Sequence, residues 1–464
     1  MTWTRREVLA GLGVGSAATL LSAFGCGSAP PPARSPVATA DDVRGWLHDA
    51  VARLGPAAHG LAVLRSRTAV AVDVLGTGVS HAVYSGAVLS VAGKDGRRRE
   101  AVVSELSAAA FAAAAASLGA GEAVEPGAVV AAAPVLRVDA AALRKVASQL
   151  MSAAPPSSRI VYAAALVEVD DALVTSVGPG GDHVQRLVRC SQRIVRAAWS
   201  GSRPVVAEAS LGWRGAPDAA VLPAAAVIAA QADALAIMTP GAFVDGPRIV
   251  VLEPSVVAAI IDAAAQTLLV ATPRPEIARR LSLGANAASA LVSLVDDPTV
   301  ASAYGGFAFD DLGAPAAPVT LVDRGHVAGV LGAGRARRPG HLGVAAPAPS
   351  HLVLAPGSGS LRSLFGDGLL LQGGGTVMID PASDRIVVTA ARARELAHGA
   401  DTGRVWADVE LVGSLGELLG SIDAVGADAE SFAYRDGPDR DARWRSVSAP
   451  PVRTRGVVRA RRLG

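Results

Sequence analysis

Val250-Val251-Leu252-Glu253-Pro254-Ser255, running on into Val256 to Val270, is the stretch whose reading decides the fold. A short apolar strand, Arg248 to Leu252, passes here directly into a helix, Ser255 to Val270. Outward from it the texture is uneven. On its N-terminal side lies one more helix, Ala224 to Met238, and on its C-terminal side come mostly short Val/Leu runs punctuated by glycine. That pattern predicts a β-rich region wrapped round few helices, and no fixed-period repeat points to a solenoid.

Further upstream the periodicities change again. Val43, Trp46, Leu47, Ala50, Val51 and Leu54 recur at helical spacing behind Asp41 or Asp42 as N-cap, so folded structure is expected to start there. Strands are predicted at Leu61 to Leu75 and Ala82 to Ala92, the second followed by a Gly93 to Gly96 turn, as a hairpin-like sheet edge. Ala101 to Leu118 and Asp139 to Ala153 read as helices. Ile160 to Val169 and Ala172 to Val177 read as strands flanking a turn at Asp170-Asp171, and Gln185 to Trp199 as a further long strand. The expected fold class is α+β. An N-terminal α/β-sheet domain at 41–219 is followed by a β-rich, barrel-like or curved-sheet C-terminal domain at 220–464 around a few helices.

Two domains also suit the length, because 464 residues exceed the roughly 250 to 300 at which single cores stop growing. Basic residues number 43 against 41 acidic ones, a net charge of +2, which leaves no global field to steer a nucleic acid. Lys94 and Lys145 are the only lysines, so the basic side is almost all arginine. The dense run from Arg453 to Arg462 reads as a solvated terminal strand and tail. Cys26 and Cys190, the two cysteines, cannot build a disulfide framework.

The first residues carry an address. Thr4-Arg5-Arg6-Glu7-Val8-Leu9 sets paired arginines ahead of an uncharged apolar run from Val8 to Phe24, which reads as a twin-arginine export signal. That run is shorter than the ~20 apolar residues of a spanning helix. Ala23-Phe24-Gly25-Cys26-Gly27 resembles a lipoprotein cleavage box with Cys26 as the lipidated residue, although Phe24 and Ala23 depart from it. Residues 1–26 are thus expected as signal and 27–40, rich in Pro, Ser and Ala, as an extended tether. The expected location is the periplasm or the envelope membrane, held by a lipid anchor only.

Several blocks in the C-terminal half occur in an order that resembles the TldD/TldE (PmbA) metallopeptidase family. After the opening strand and helix come Leu294-Val295-Asp296-Asp297-Pro298-Thr299, Ala303-Tyr304-Gly305-Gly306-Phe307 and Phe309-Asp310-Asp311-Leu312-Gly313-Ala314-Pro315. Val319 to Val330, Ser350 to Gly357, Gly366 to Leu371 and Leu411 to Asp428 follow. The resemblance covers roughly residues 220 to 460. It implies that catalytic relatives carry His-Glu-x-x-x-His on the helix after the first block, with a third, cysteine ligand from the C-terminal region. Two histidines there hold the ion, and the glutamate serves as general base on metal-bound water.

Carried over position by position, that window falls on Asp262, Ala263, Ala264, Ala265, Gln266 and Thr267. Asp262 and Thr267 stand for the histidines and Ala263 for the glutamate, and no cysteine follows Cys190. No catalytic or metal-binding residue is therefore expected in this chain, and zinc only in a metal-bearing partner. The eight histidines, His48, His59, His81, His183, His326, His341, His351 and His398, never pair at ligand-like helical spacing.

Other constellations read more simply. Gly357-Ser358-Gly359-Ser360 and Gly373-Gly374-Gly375 lack the Lys-Ser/Thr of a phosphate loop and are expected to be turns, as is Gly178-Pro179-Gly180-Gly181. Gly357 to Leu361 supplies only part of a nucleophile elbow. Asp296-Asp297 and Asp310-Asp311 are expected at turns and strand ends rather than as a calcium or acid/base site.

The resemblance implies a non-catalytic TldE/PmbA-like subunit or modulator of a TldD-type metallopeptidase complex acting on unfolded or short peptides. Its partner would be a TldD-like metal-bearing subunit in a heterodimer, or a second copy of itself. The alternatives are an exported, lipid-tethered binding or scaffold protein with no proteolytic role, and a residual metallopeptidase with unrecognised ligands.

Overall fold

A computed structural model of the chain describes residues 39–74, 76–92, 98–119, 138–155, 157–200, 203–236, 238–239, 243–269, 283–331, 348–436 and 443–461. The N-terminal half is built from α1 (Ala40–Leu54), β1 (Ala58–Asp73), β2 (Gly76–Ala92), β3 (Arg98–Val103), α2 (Ala108–Ser117), α3 (Ala140–Ala153), β4 (Ile160–Gly178), β5 (Gly181–Ser200) and β6 (Arg203–Arg214). Its six strands form one antiparallel sheet in the order β3-β2-β1-β4-β5-β6. Side chains alternate across a strand, and this alternation gives the sheet two unlike faces. Ala58, Ala62 and Leu64 of β1 pack against α1 and α2, and Val70 packs with α3 and α4 (Ala224–Ala234). The other face carries Leu61 and Val63, which meet Phe307 and Phe309 from the C-terminal half.

The remaining elements are β7 (Gly246–Leu252), α5 (Pro254–Leu268), β8 (Leu294–Asp296), β9 (Val319–Asp323), β10 (His326–Val327), β11 (His351–Leu354), β12 (Gly368–Asp380), β13 (Arg385–Ala397), β14 (Ala400–Ser414), α6 (Leu415–Gly420), β15 (Ala424–Val425), β16 (Glu430–Asp436), β17 (Arg443–Ala449) and β18 (Val452–Ala460). β7 pairs in parallel with β12, then β12, β13, β14, β18 and β7 pair antiparallel in turn, so five strands close on themselves. Closure removes the sheet edge. A second sheet runs β10-β9-β8-β11-β17-β16. Between barrel and sheet lies α5. Val256, Ile260, Ile261 and Ala264 share one core with Val250, Leu252, Leu371, Val388 and Leu411 of the barrel and with Leu294, Leu321, Leu352 and Val447 of the sheet. Each Val, Ile or Leu side chain among them contributes about 1.5 to 3 kcal/mol by leaving water, which is why the apolar helix sits at the centre.

The α+β class with a closed barrel in the C-terminal half agrees with expectation, but several elements differ. β4 is one strand of 19 residues, so the turn expected at Asp170-Asp171 does not exist. Aspartate is depleted in strands. Here each carboxylate is buried on its own face of the sheet against arginine, Asp171 with Arg186 and Asp170 with Arg65. The helix expected from Ala101 starts only at Ala108, because Ala101 to Val103 pair with β2 and Ser107 caps the helix. Thr39, not Asp41 or Asp42, is the N-cap of α1. Its hydroxyl accepts from the Asp42 N–H at 3.1 Å and Asp42 answers as the third helical residue. α4 stops at Ala234, short of Met238. Gly373 to Gly375 are not a turn but part of β12, which bulges between Gly374 and Val377. Asp296 and Asp310 do sit at a strand end and a turn, accepting backbone N–H groups of Ser350 and His351, and of Leu312 and Ala314.

Candidate functional site

The entry to α5 is fixed from both sides. Pro254 opens the helix, where no N–H is missed. The Glu253 carboxylate, instead of capping its own helix, accepts from Ser255 Oγ at 2.7 Å, Gly373 N at 2.7 Å and Gln372 Nε2 at 3.0 Å. Strand β12 thus crosses tightly over the first turn. A Cβ on Gly374 would run into the Ser255 carbonyl oxygen, so the glycine is required by that approach.

Further along the helix stand the positions expected to correspond to the metal ligands. Ala263 and Thr267 are half-buried and bring no ligand. Asp262 is buried and bound. Arg445 of β17 reaches it with both ends of its fork, Nε to Oδ1 at 2.6 Å and NH2 to Oδ2 at 2.7 Å, and Gln266 Nε2 donates to Oδ2 at 2.8 Å. The same guanidinium pairs through NH1 with Asp436 at the end of β16, and it lies 5.9 Å from the Tyr434 ring centre. Burial alone would lower the Arg445 pKa, but the bonds and charge of Asp262 and Asp436 hold it above its ordinary value. Burial, with the Asp262 charge behind it, raises the Tyr434 hydroxyl in turn. The Asp262 carboxylate thus accepts three hydrogen bonds, two of them charge-assisted, and its charge is already paired with a guanidinium.

Zinc chemistry needs histidine, cysteine or carboxylate donors converging on one point, and α5 offers one carboxylate already committed to a cation. The residues present do not fit a catalytic zinc site. Among the described residues no group of three or more His, Cys, Asp or Glu is placed to hold a metal. The histidines are spread over separate tasks. His48 meets Asp182, His81 meets Thr68 Oγ1 and His183 meets the Gly180 carbonyl oxygen. His351 Nδ1 lies 2.9 Å from Ser446 Oγ, with its pKa lowered by burial. His59 Nε2 lies 2.9 Å from the buried Ser176 Oγ, which looks like a nucleophile pair until Nδ1 is considered. Arg98 NH2, always a donor, faces that nitrogen at 3.3 Å, so Nδ1 accepts and Nε2 carries the proton. Such a histidine donates to Ser176 rather than activating it. The Cys190 thiol is pushed up to about 12 by burial and is no nucleophile. Cys26, Arg5, Arg6 and His341 lie outside the described residues. Among the described residues no helix is long and apolar enough to cross a membrane.

Sequence reasoning missed a second cluster, on the helix-free face of the N-terminal sheet. Arg65 and Arg67 of β1 and Glu168 and Asp170 of β4 are all buried. Arg67 NH2 donates to Glu168 Oε2 at 2.6 Å, and Arg435 of β16 approaches Glu168 Oε1 at 3.6 Å from the C-terminal half. The Arg65 guanidinium lies 4.8 Å from the ring centres of both Tyr84 and Trp444, and Arg189 lies 4.6 Å from Trp444. The signal was present: charges at i and i+2 on two neighbouring apolar strands share one face.

This architecture, a six-stranded sheet under helices joined to a closed barrel with one long helix against it, defines a class. Residues 246–460 match the model of the PmbA/TldA metallopeptidase C-terminal domain. Three solved structures share the fold. A proposed modulator of DNA gyrase from Thermotoga maritima MSB8 has a TM-score of 0.69 at 16% identity, over 90% of this chain and 100% of that one. Another from Bacteroides thetaiotaomicron VPI-5482 has a TM-score of 0.68 at 16% identity, over 91% and 100%. TldE from Thermococcus kodakarensis has a TM-score of 0.65 at 18% identity, over 90% and 99%. No curated protein sequence matches the chain. Residues 246–460 therefore form a C-terminal domain of the PmbA/TldD family.

Proposed function

We propose that this chain is a non-catalytic subunit or modulator of a TldD-type metallopeptidase complex acting on unfolded or short peptides. The observation that carries the reading is the occupancy of α5, where the carried-over ligand positions hold Asp262, Ala263 and Thr267 and Asp262 is consumed by Arg445. Zinc and the general base would come from a metal-bearing homologue in a heterodimer. The edge strand β16, paired on one side only among the described residues, supports a part in holding extended peptide by main-chain hydrogen bonds. Pull-down from the native source tests this. Recovery of a homologue bearing His-Glu-x-x-x-His is expected; a stable homodimer with no such partner, or stoichiometric zinc and chelator-sensitive peptidase activity in the purified chain, overturns it.

A second reading rests on Arg5-Arg6 and Cys26: an exported, lipid-tethered binding or scaffold protein of the envelope with no proteolytic role. It predicts an acylated Cys26 at the mature N-terminus by mass spectrometry and no peptidase partner. An export signal on the partner homologue favours the first reading.

A further inference from the structure

Asp262 and Asp436 come from different elements, α5 and the end of β16, and both close on one guanidinium carried by β17. Two carboxylates from separate elements bracketing one cation is the arrangement by which a structural metal ion cross-links a fold. Here the cation is covalently tethered. Its fork is spent on the two carboxylates, Gln266 steadies Asp262, and the Arg445 side chain is 3% exposed. Lysine has no such fork and would reach the same charges as a point donor. The partners are 183 residues apart in sequence, so the contact ties the helix to the β16–β17 pair rather than stiffening either.

We propose that Arg445 is a built-in cation that locks α5 to β16 and β17, filling a site whose carboxylates would otherwise take a free guanidinium or divalent ion. The helix at the centre of the C-terminal half then needs no metal to be positioned, and its placement does not vary with metal supply. The inference deepens the non-catalytic reading but is separable from it. Partner recovery and metal content test that reading, whereas cation rescue of a variant tests this one.

The test is thermal melting of the full chain carrying Arg445→Ala. Breaking a buried pair lowers the midpoint by roughly 3 to 5 °C at this size. Millimolar methylguanidinium should restore part of the loss, tetramethylammonium should not, and Arg445→Ala combined with Asp262→Ala should show no rescue. Wild-type melting should be indifferent to zinc, calcium and chelator. No methylguanidinium-dependent rise in Arg445→Ala, or an equal rise in the double variant, overturns the proposal. If Arg445→Ala does not fold, Arg445→Lys decides: an intermediate midpoint is expected, and one equal to the wild type overturns the role of the fork.

Discussion

Asp170 and Arg65 face each other at 3.2 Å in the middle of two sheet strands, both side chains only 1% exposed. Burial dominates the carboxylate. It is pushed up to about 6, above the ordinary carboxylate range, against the pull of Arg65, Arg189 and Arg435 and with a smaller push from Glu168. A folded-state pKa raised above the unfolded one means the folded protein holds the proton more tightly. This contribution is therefore complete below about pH 4 and is lost as pH rises through about 6. Asp170→Asn, a mimic of the protonated acid, should melt like the wild type near pH 4 and become relatively more stable towards pH 8. Urea unfolding across that range checks it; the opposite trend means that attraction to the arginines outweighs burial.

Trp444 lies against two buried guanidinium groups, Arg65 and Arg189, and its loss removes packing and both cation–π contacts. Trp444→Ala should cost about 3 to 5 kcal/mol, and Trp444→Phe, which keeps a ring, clearly less. A denaturation midpoint unchanged in Trp444→Ala refutes the stack as a stabilising feature.

Gly305 offers a backbone test of how the segment between β8 and β9 packs against Ser350 and Arg445. A Cβ there would overlap the Ser350 carbonyl oxygen, which cannot rotate away, while at Gly413 it would meet nothing. Gly305→Ala should destabilise by about 1 to 3 kcal/mol or more, and Gly413→Ala should stay within about 0.5 kcal/mol. Equal effects in calorimetry would contradict the close approach.

Cys190 should be chemically silent in the folded protein, since burial holds its thiol near 12 and its neighbours are the acidic Asp170, Asp171 and Asp218. In a Cys26→Ser chain, a thiol reagent at pH 8 should label it at the rate of unfolding, accelerating with urea. Immediate stoichiometric labelling of the native chain would refute this.

Much of the scaffold was legible because local signals agree with tertiary burial. Val250 to Leu252 are buried apolar strand residues that lead straight into α5, and α5 is packed on both of its flanks. Residues that misled the reading are polar ones whose partners lie far off in sequence. Asp170 and Asp171 look like a turn until Arg65 and Arg186 neutralise them, and Gly373 to Gly375 look like a loop until the helix they pass against is known. Ala101 to Val103 carry helical propensity, yet pairing with Leu89, Val88 and Ala87 outweighs it.

By itself the sequence determined the α+β class, the order of the blocks and which ligand types are missing from α5, because these follow from residue identity and periodicity. Only the tertiary structure decided what became of the place where those ligands are missing. Asp262 is an unremarkable helical aspartate in the sequence. Nothing near it in the chain announces Arg445, 183 residues on, as its partner, since a buried charge is settled by whichever opposite charge the fold carries within reach.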